Sequence, residues 1–185
     1  HGDQRHLGNR IYQGRPRDED MLDETGFNVT DLSNRIRTKA YLSPHSDLVA
    51  LMLLEHQAGG HNVLTRASFD VRSALYREAS LNRELNEPPT HRWDSTNTIL
   101  ANAGERRVEY CVLSGVCPLA APVAGTSAFA AEFKSRGPRD RHGRSLRDLD
   151  LTTRLFRYPC SYLIYTESFD ALPEELRARF WQRMD

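Results

Sequence analysis

Lysine is almost missing from this chain, net charge is absent, and no apolar run approaches the length of a membrane span. Lys39 and Lys134 are the only lysines, and arginine supplies the other basic positions. That bias fits a GC-rich genome and points to no particular partner. With 25 basic and 25 acidic residues, no global field draws the chain to nucleic acid or to an anionic membrane. The longest apolar stretch, Leu48 to Leu54, is far below the roughly 20 residues a spanning helix needs. Cysteine is scarce too. Cys111, Cys117 and Cys160 match no zinc or redox spacing. Cys111 and Cys117 could close a small disulfide loop and leave Cys160 odd, or all three could be free, mostly buried thiols. No P-loop, G-x-S-x-G or dinucleotide glycine pattern occurs, so nothing recommends a nucleotide enzyme or a serine hydrolase. The first residue is His1 rather than methionine, with no signal peptide after it. A processed product or a piece of a longer protein is expected.

What is present is concentrated in SPHSDLVALMLLEHQAGGHN, Ser43 to Asn62. Ser43 is a natural N-cap, Pro44 suits the first helical position, and Asp47 falls in the first turn. The run from Leu48 to Leu54 is apolar on every side, the pattern of a buried helix. Glu55, His56 and Gln57 follow within it, then Gly59 and Gly60, then His61 and Asn62. A buried carboxylate, imidazole and amide each need a partner.

The rest of the chain reads as mostly α: an irregular helical domain with long loops. Residues 1–30 lack apolar periodicity and are rich in Gly, Asp, Arg and Asn. They read as an extended arm, so 1–42 is expected to be arm and linker, and 43–185 a single helical domain. The first helix either stops at Gly59-Gly60 or passes through. Beyond them Leu64, Ala67, Val71, Ala74 and Leu81 mark an amphipathic stretch to about Leu85, closed by Pro88 and Pro89. A third helix runs from Asp94 or Ser95 towards Cys111. Cys117 to Gly125 is loop, and Ser127 to Arg136 a short helix closed by Gly137. Ser145 with Asp148 resembles a capping box. Thr152 or Thr153 should start a helix kinked at Pro159, with a strand possible for Ser161 to Tyr165. Leu172-Pro173-Glu174-Glu175 opens a last helix carrying Leu176, Phe180 and Trp181.

If the helix is continuous through the glycines, His45, Val49, Met52, His56, Gly60, Val63 and Ala67 share one stripe. A histidine with a glycine one turn beyond leaves a flat recess beside an imidazole, suited to a planar ligand or a close second helix. His61 is about 140° from His56 on a regular helix, so the two do not converge on one metal unless the glycines break it. The candidate metal ligands are His56, His61, His45, His6 and His1. The candidate cofactor contacts are His56, Met52, Gly60, Asn62, Arg154 and Arg157. Glu-His-x4-His is neither the zinc-protease nor the di-iron spacing, which puts a metal-dependent hydrolase last. From Lys134 to Arg157, eight basic residues face Asp140, Asp148 and Asp150. Arg154 and Arg157 flank Phe156 and Tyr158 and read as half-buried. They call for a carboxylate such as Asp148, Asp150 or Glu55, or for an anionic ligand.

The strings YLSPHSDLVALMLLEHQ…HN (Tyr41 to Asn62) and GRSLRDLDLTTRLFRYPCSYLIY (Gly143 to Tyr165) resemble a little-characterised group of bacterial secreted proteins related to c-type cytochromes. In that group a CxxCH haem-attachment region precedes this portion, and HGDQRHLGN (His1 to Asn9) is similar to the joining stretch. The resemblance implies a periplasmic or otherwise secreted protein in electron transfer or haem-based redox chemistry. This chain has no CxxCH, so the haem would be held by an upstream segment or a partner subunit. His56 would then be an axial or neighbouring residue, oriented by Glu55 or Asn62, and Arg154 and Arg157 would face propionates. The residues alone also support a reading of another class, a helical scaffold or partner-binding module with no cofactor. There Glu55, His56, Gln57, Arg154 and Arg157 form one buried polar network that fixes helix register. Neither reading involves nucleic acid or a membrane span.

Overall fold

The computed structural model describes residues 11–12, 22–23, 31–34, 36–41, 43–114, 116, 118–119 and 121–184. The chain is mostly helical, as its periodicity predicts. The helices are α1 (Leu48–Glu84), α2 (Asp94–Cys111), α3 (Phe129–Ser135), α4 (Glu167–Asp170) and α5 (Glu174–Met184), with 3-10 turns at Thr38–Ala40 and Tyr162–Tyr165. Two short strands, β1 (Ile11–Tyr12) and β2 (Leu22–Asp23), pair antiparallel. Most of the expected N-terminal arm, with His1 and His6, and also Cys117, lies outside the described residues. No helix among the described residues is long and apolar enough to cross a membrane.

Residues pack into two compact units, each built from two separated stretches: His1–Glu55 with Val116–Tyr158, and His56–Gly115 with Pro159–Asp185. The second unit has the larger uniform core. Leu64, Ala67 and Val71 of α1 meet Leu100 and Cys111 of α2, Phe169 of α4, and Leu172, Leu176 and Phe180. Phe169 and Phe180 pack edge to face with ring centroids 5.0 Å apart, a favoured aromatic geometry. In the first unit Phe133, Leu155 and Phe156 are buried. Backbone there is held by loop contacts, with Leu119 N–H on Thr153 O and Val123 N–H on Leu151 O. The Arg147 guanidinium lies 4.8 Å from the Phe133 ring centre.

The start of α1 corrects the expected one. Ser43 and Pro44 do not open the helix, because this stretch is extended and His45 is bridged to Asp31. Asp47 is the cap. Its carboxylate accepts the N–H groups of Val49 (2.9 Å) and Ala50 (3.1 Å), donors a helix start leaves unpaired. The other carboxylate oxygen accepts Ser127 N–H and Ser127 Oγ–H, which fastens the loop before α3. His45 therefore precedes the helix and drops out of the stripe. The run from Leu48 to Leu54 is not buried on every side either: Leu54 is 62% exposed, and Glu55 and Gln57 are exposed.

Beyond the glycines α1 continues without a break, and at its far end Asn86 takes the left-handed conformation (φ 56°) before Pro88. Residues 152–165 do not form the expected kinked helix. They are bends with one Leu149–Phe156 bridge and a single 3-10 turn, since Pro159 removes a donor and disfavours the helical conformation at Tyr158 before it. Ser145 and Asp148 do bond reciprocally, Ser145 N–H to Asp148 Oδ2 and Asp148 N–H to Ser145 O, yet they close a turn rather than start a helix.

Burial opposes ionisation of the Asp47 carboxyl, but the hydrogen bonds from Ser127, Ala50 and Val49 outweigh it and hold its pKa below the usual 3.8. Its contribution is therefore present above the unfolded pKa and is lost as pH falls through the folded one. Asp47→Ala is expected to cost about 1–2 kcal/mol at neutral pH. Urea denaturation at pH 7 and pH 3 checks this: the difference between variant and parent should shrink at the lower pH.

Candidate functional site

His56 is where the structure gathers polar groups, all within the second unit. It is half-buried and its Nε2 lies 2.7 Å from Ser161 Oγ. Tyr110 stacks on the imidazole at 5.2 Å between ring centres and 16° between planes, and Tyr162 leans on it at 6.0 Å. Tyr110 Oη donates to the backbone carbonyl of His56 itself. Ser161 is fully buried and caps the turn that follows, accepting Leu163 N–H on its Oγ while its own N–H donates to Cys111 O. Tyr162 Oη donates to Gln57 Oε1 at 3.3 Å.

The two glycines explain how the ring comes to be enclosed. A Cβ on Gly59 would sit 2.8 Å from Tyr110 Oη, and one on Gly60 would overlap the Leu163 side chain and press on Tyr110 at 3.0 Å. The recess expected beside the imidazole is thus filled from inside, by Tyr110 at the end of α2 and by Leu163. Tyr110 comes from a close second helix, α2, as the sequence pattern allowed, whereas Leu163 comes from the 3-10 turn.

The electrostatics follow from enclosure. Burial lowers the His56 pKa from 6.5 to about 4, so the ring is neutral at pH 7. Burial, helped by the neighbouring Cys111, raises Tyr110 to about 12. Burial likewise raises the Cys160 thiol, which makes it a poorer nucleophile. A serine hydroxyl on a neutral imidazole is the raw material of a nucleophilic pair. Here, however, Ser161 has 0% exposure and its oxygen is already a capping acceptor, so it reads as structural.

The remaining candidates scatter. Met52 is half-buried and Gly60 buried, while Asn62 is exposed and His61 half-buried. Arg154 and Arg157 belong to the first unit and are exposed, which corrects the half-buried reading. Arg154 reaches Arg157 O at 2.9 Å and lies 3.9 Å from Asp150; Arg157 rests on Tyr158. Among the described residues no group of three or more His, Cys, Asp or Glu side chains converges on a metal-sized space. The residues around His56 do not fit a haem. Nε2, one of the two nitrogens that could ligate iron, is engaged by Ser161, and one flat face is taken by Tyr110.

A second polar cluster was not singled out by the sequence reading. The core stripe Leu64, Ala67, Val71, Ala74 continues at its own spacing to Glu78 and Asn82, both buried, while Leu81 is exposed. Glu78 accepts Trp93 N–H and pairs with Arg92, which also reaches Glu175 of α5. Asn82 donates to His91 O at 2.9 Å and accepts Trp93 Nε1–H at 2.7 Å. The signal was available: two polar residues at core positions of a regular stripe require partners, and a tryptophan with its own N–H stands in the next loop.

Gly60→Ala is expected to destabilise by about 1–3 kcal/mol through overpacking. Gly104→Ala, where the nearest atom is 4.0 Å away, should stabilise by about 0.5–1 kcal/mol through helix propensity. Thermal unfolding of both variants checks the pair. A His56 pKa of about 4 against an unfolded 6.5 means the unfolded chain binds the extra proton between those values. Stability on the order of 3 kcal/mol should therefore be present above pH 6.5 and be lost as pH falls to about 4. His56→Gln should flatten that part of the urea-midpoint profile; an unchanged slope counts against the enclosed neutral ring.

No protein-family model matches the chain, and no curated protein or solved structure is similar enough to it to count as a match.

Proposed function

We propose that this chain is a helical scaffold or partner-binding module with no cofactor of its own. The observation that carries this reading is the closure of His56 by Ser161, Tyr110 and Leu163, which leaves the imidazole tying chain segments together instead of holding a ligand. Supporting it, Phe69 and Tyr76 stand 68% and 72% exposed on α1. Seven residues apart, they share one face, a pair of large rings of the kind that anchors protein contacts.

The competing proposal is a periplasmic haem-associated redox protein, in which an upstream segment or partner subunit carries the haem and this chain packs beside it. Absorbance of the natively purified full-length parent separates the two. On the scaffold reading, His56→Leu lowers stability by about 1–3 kcal/mol, the cost of an orphaned buried hydroxyl, and leaves any band near ~400 nm where it was. A Soret band that moves or disappears on His56→Leu, in protein that stays folded by circular dichroism, would overturn it. Phe69→Ala and Tyr76→Ala should change stability by no more than about 0.5 kcal/mol, as exposed positions do.

A further inference from the structure

The second unit has one further feature that its polar clusters do not use, a groove of about 500 Å³ along α1 and α2. The two helices run antiparallel there, since Tyr110 meets His56 at one end and Trp93 meets Asn82 at the other. The floor is aliphatic: Val63 and Ala67 from α1, Ile99 and Ala103 from α2. Its volume falls within the range of small-molecule clefts, about 300–1,000 Å³. Its lining reaches from Asn62 to Arg77, about 22 Å of helix at 1.5 Å per residue. The space is therefore long and narrow.

Charge decides the occupant. Arg66 is neutralised in place by Asp70 at 3.1 Å. Arg77 donates Nε–H to Ser73 O and makes no ion pair among the described residues, so one guanidinium is left for an anion at one end. Among the described residues no aromatic ring lines the groove, so a nucleobase or other flat ligand would gain no stacking from them. Among the described residues a polyphosphate would find one cation without an ion pair, Arg77.

We infer that the α1–α2 groove binds an elongated amphiphile with a single anionic head, a long-chain carboxylate, its chain along Val63, Ala67, Ile99 and Ala103 and its head at Arg77. The site involves none of His56, Ser161 or Tyr110 and stands or falls apart from the reading above.

The test uses the full chain with dodecanoate below its micelle concentration, by calorimetry and amide chemical-shift mapping, beside dodecanol and dodecyltrimethylammonium. Dodecanoate should bind saturably at one site, with shifts confined to residues 62–77 and 99–103. Arg77→Gln should weaken it about three- to fivefold, the scale of an exposed ion pair. Arg77→Lys should restore most of the affinity, and Arg83→Gln, an exposed arginine elsewhere on α1, should change nothing. The inference is overturned by dodecanol or the cationic amphiphile binding as tightly as dodecanoate. It is equally overturned by Arg77→Gln behaving like Arg83→Gln, or by the absence of saturable shifts in the groove.

Discussion

Two missing side chains organise the second unit. Because Gly59 and Gly60 carry no Cβ, Tyr110 and Leu163 lie directly against α1, and their approach shields much of His56 from water. So shielded, the imidazole needs a partner, and Ser161 supplies it from a segment 105 positions later in the chain. Three stretches distant in sequence are joined at one point: the first third of α1, the end of α2 and the turn before α4. The helix tolerates two adjacent glycines, each unfavourable by about 0.8–1.0 kcal/mol relative to alanine, because the packing they allow offsets that loss.

The Glu78–Asn82 cluster answers this arrangement at the other end of the helix pair. There the solution is reversed, with polar residues of α1 buried and the following loop bent back to satisfy them. Trp93 serves twice, through its backbone N–H to Glu78 and its indole N–H to Asn82, and His91 packs edge-on against its ring. Hydrophobic burial between these two ends is unspecific about register. The hydrogen-bonded ends supply the specificity, since a one-residue slide of α2 would leave several buried groups unpaired.

Much of this was legible in the amino acids. The spacing of Leu64, Ala67, Val71 and Ala74, the stop at Pro88-Pro89, the helix from Asp94 and the last helix after Pro173 all follow from local rules acting on long, regular segments. His56 and its glycine neighbour stood out because an imidazole beside a missing side chain is a recognisable pattern. What filled the gap was not legible, since Tyr110 and Leu163 reach it only through tertiary packing. Arg154 and Arg157 misled because aromatic neighbours are a poor guide to burial in a loop, where residues do not alternate faces with a fixed period. Ser43 has the side chain of a cap, but the extended path through His45 moves the helix start on to Asp47, which no local rule on Ser43-Pro44 foresees.

The 37-residue α1 begins in one compact unit and ends in the other, and each unit needs a stretch that follows the other's first stretch. Neither is a contiguous length of chain. During synthesis the contacts between α1 and α2 can close within residues 56–115, but neither unit is complete until its second stretch, 116–158 or 159–185, has followed. A cut anywhere between 56 and 158 would part at least one unit from half of itself. Each unit is thus completed late, and no contiguous piece shorter than residues 56–185 holds the whole of the second.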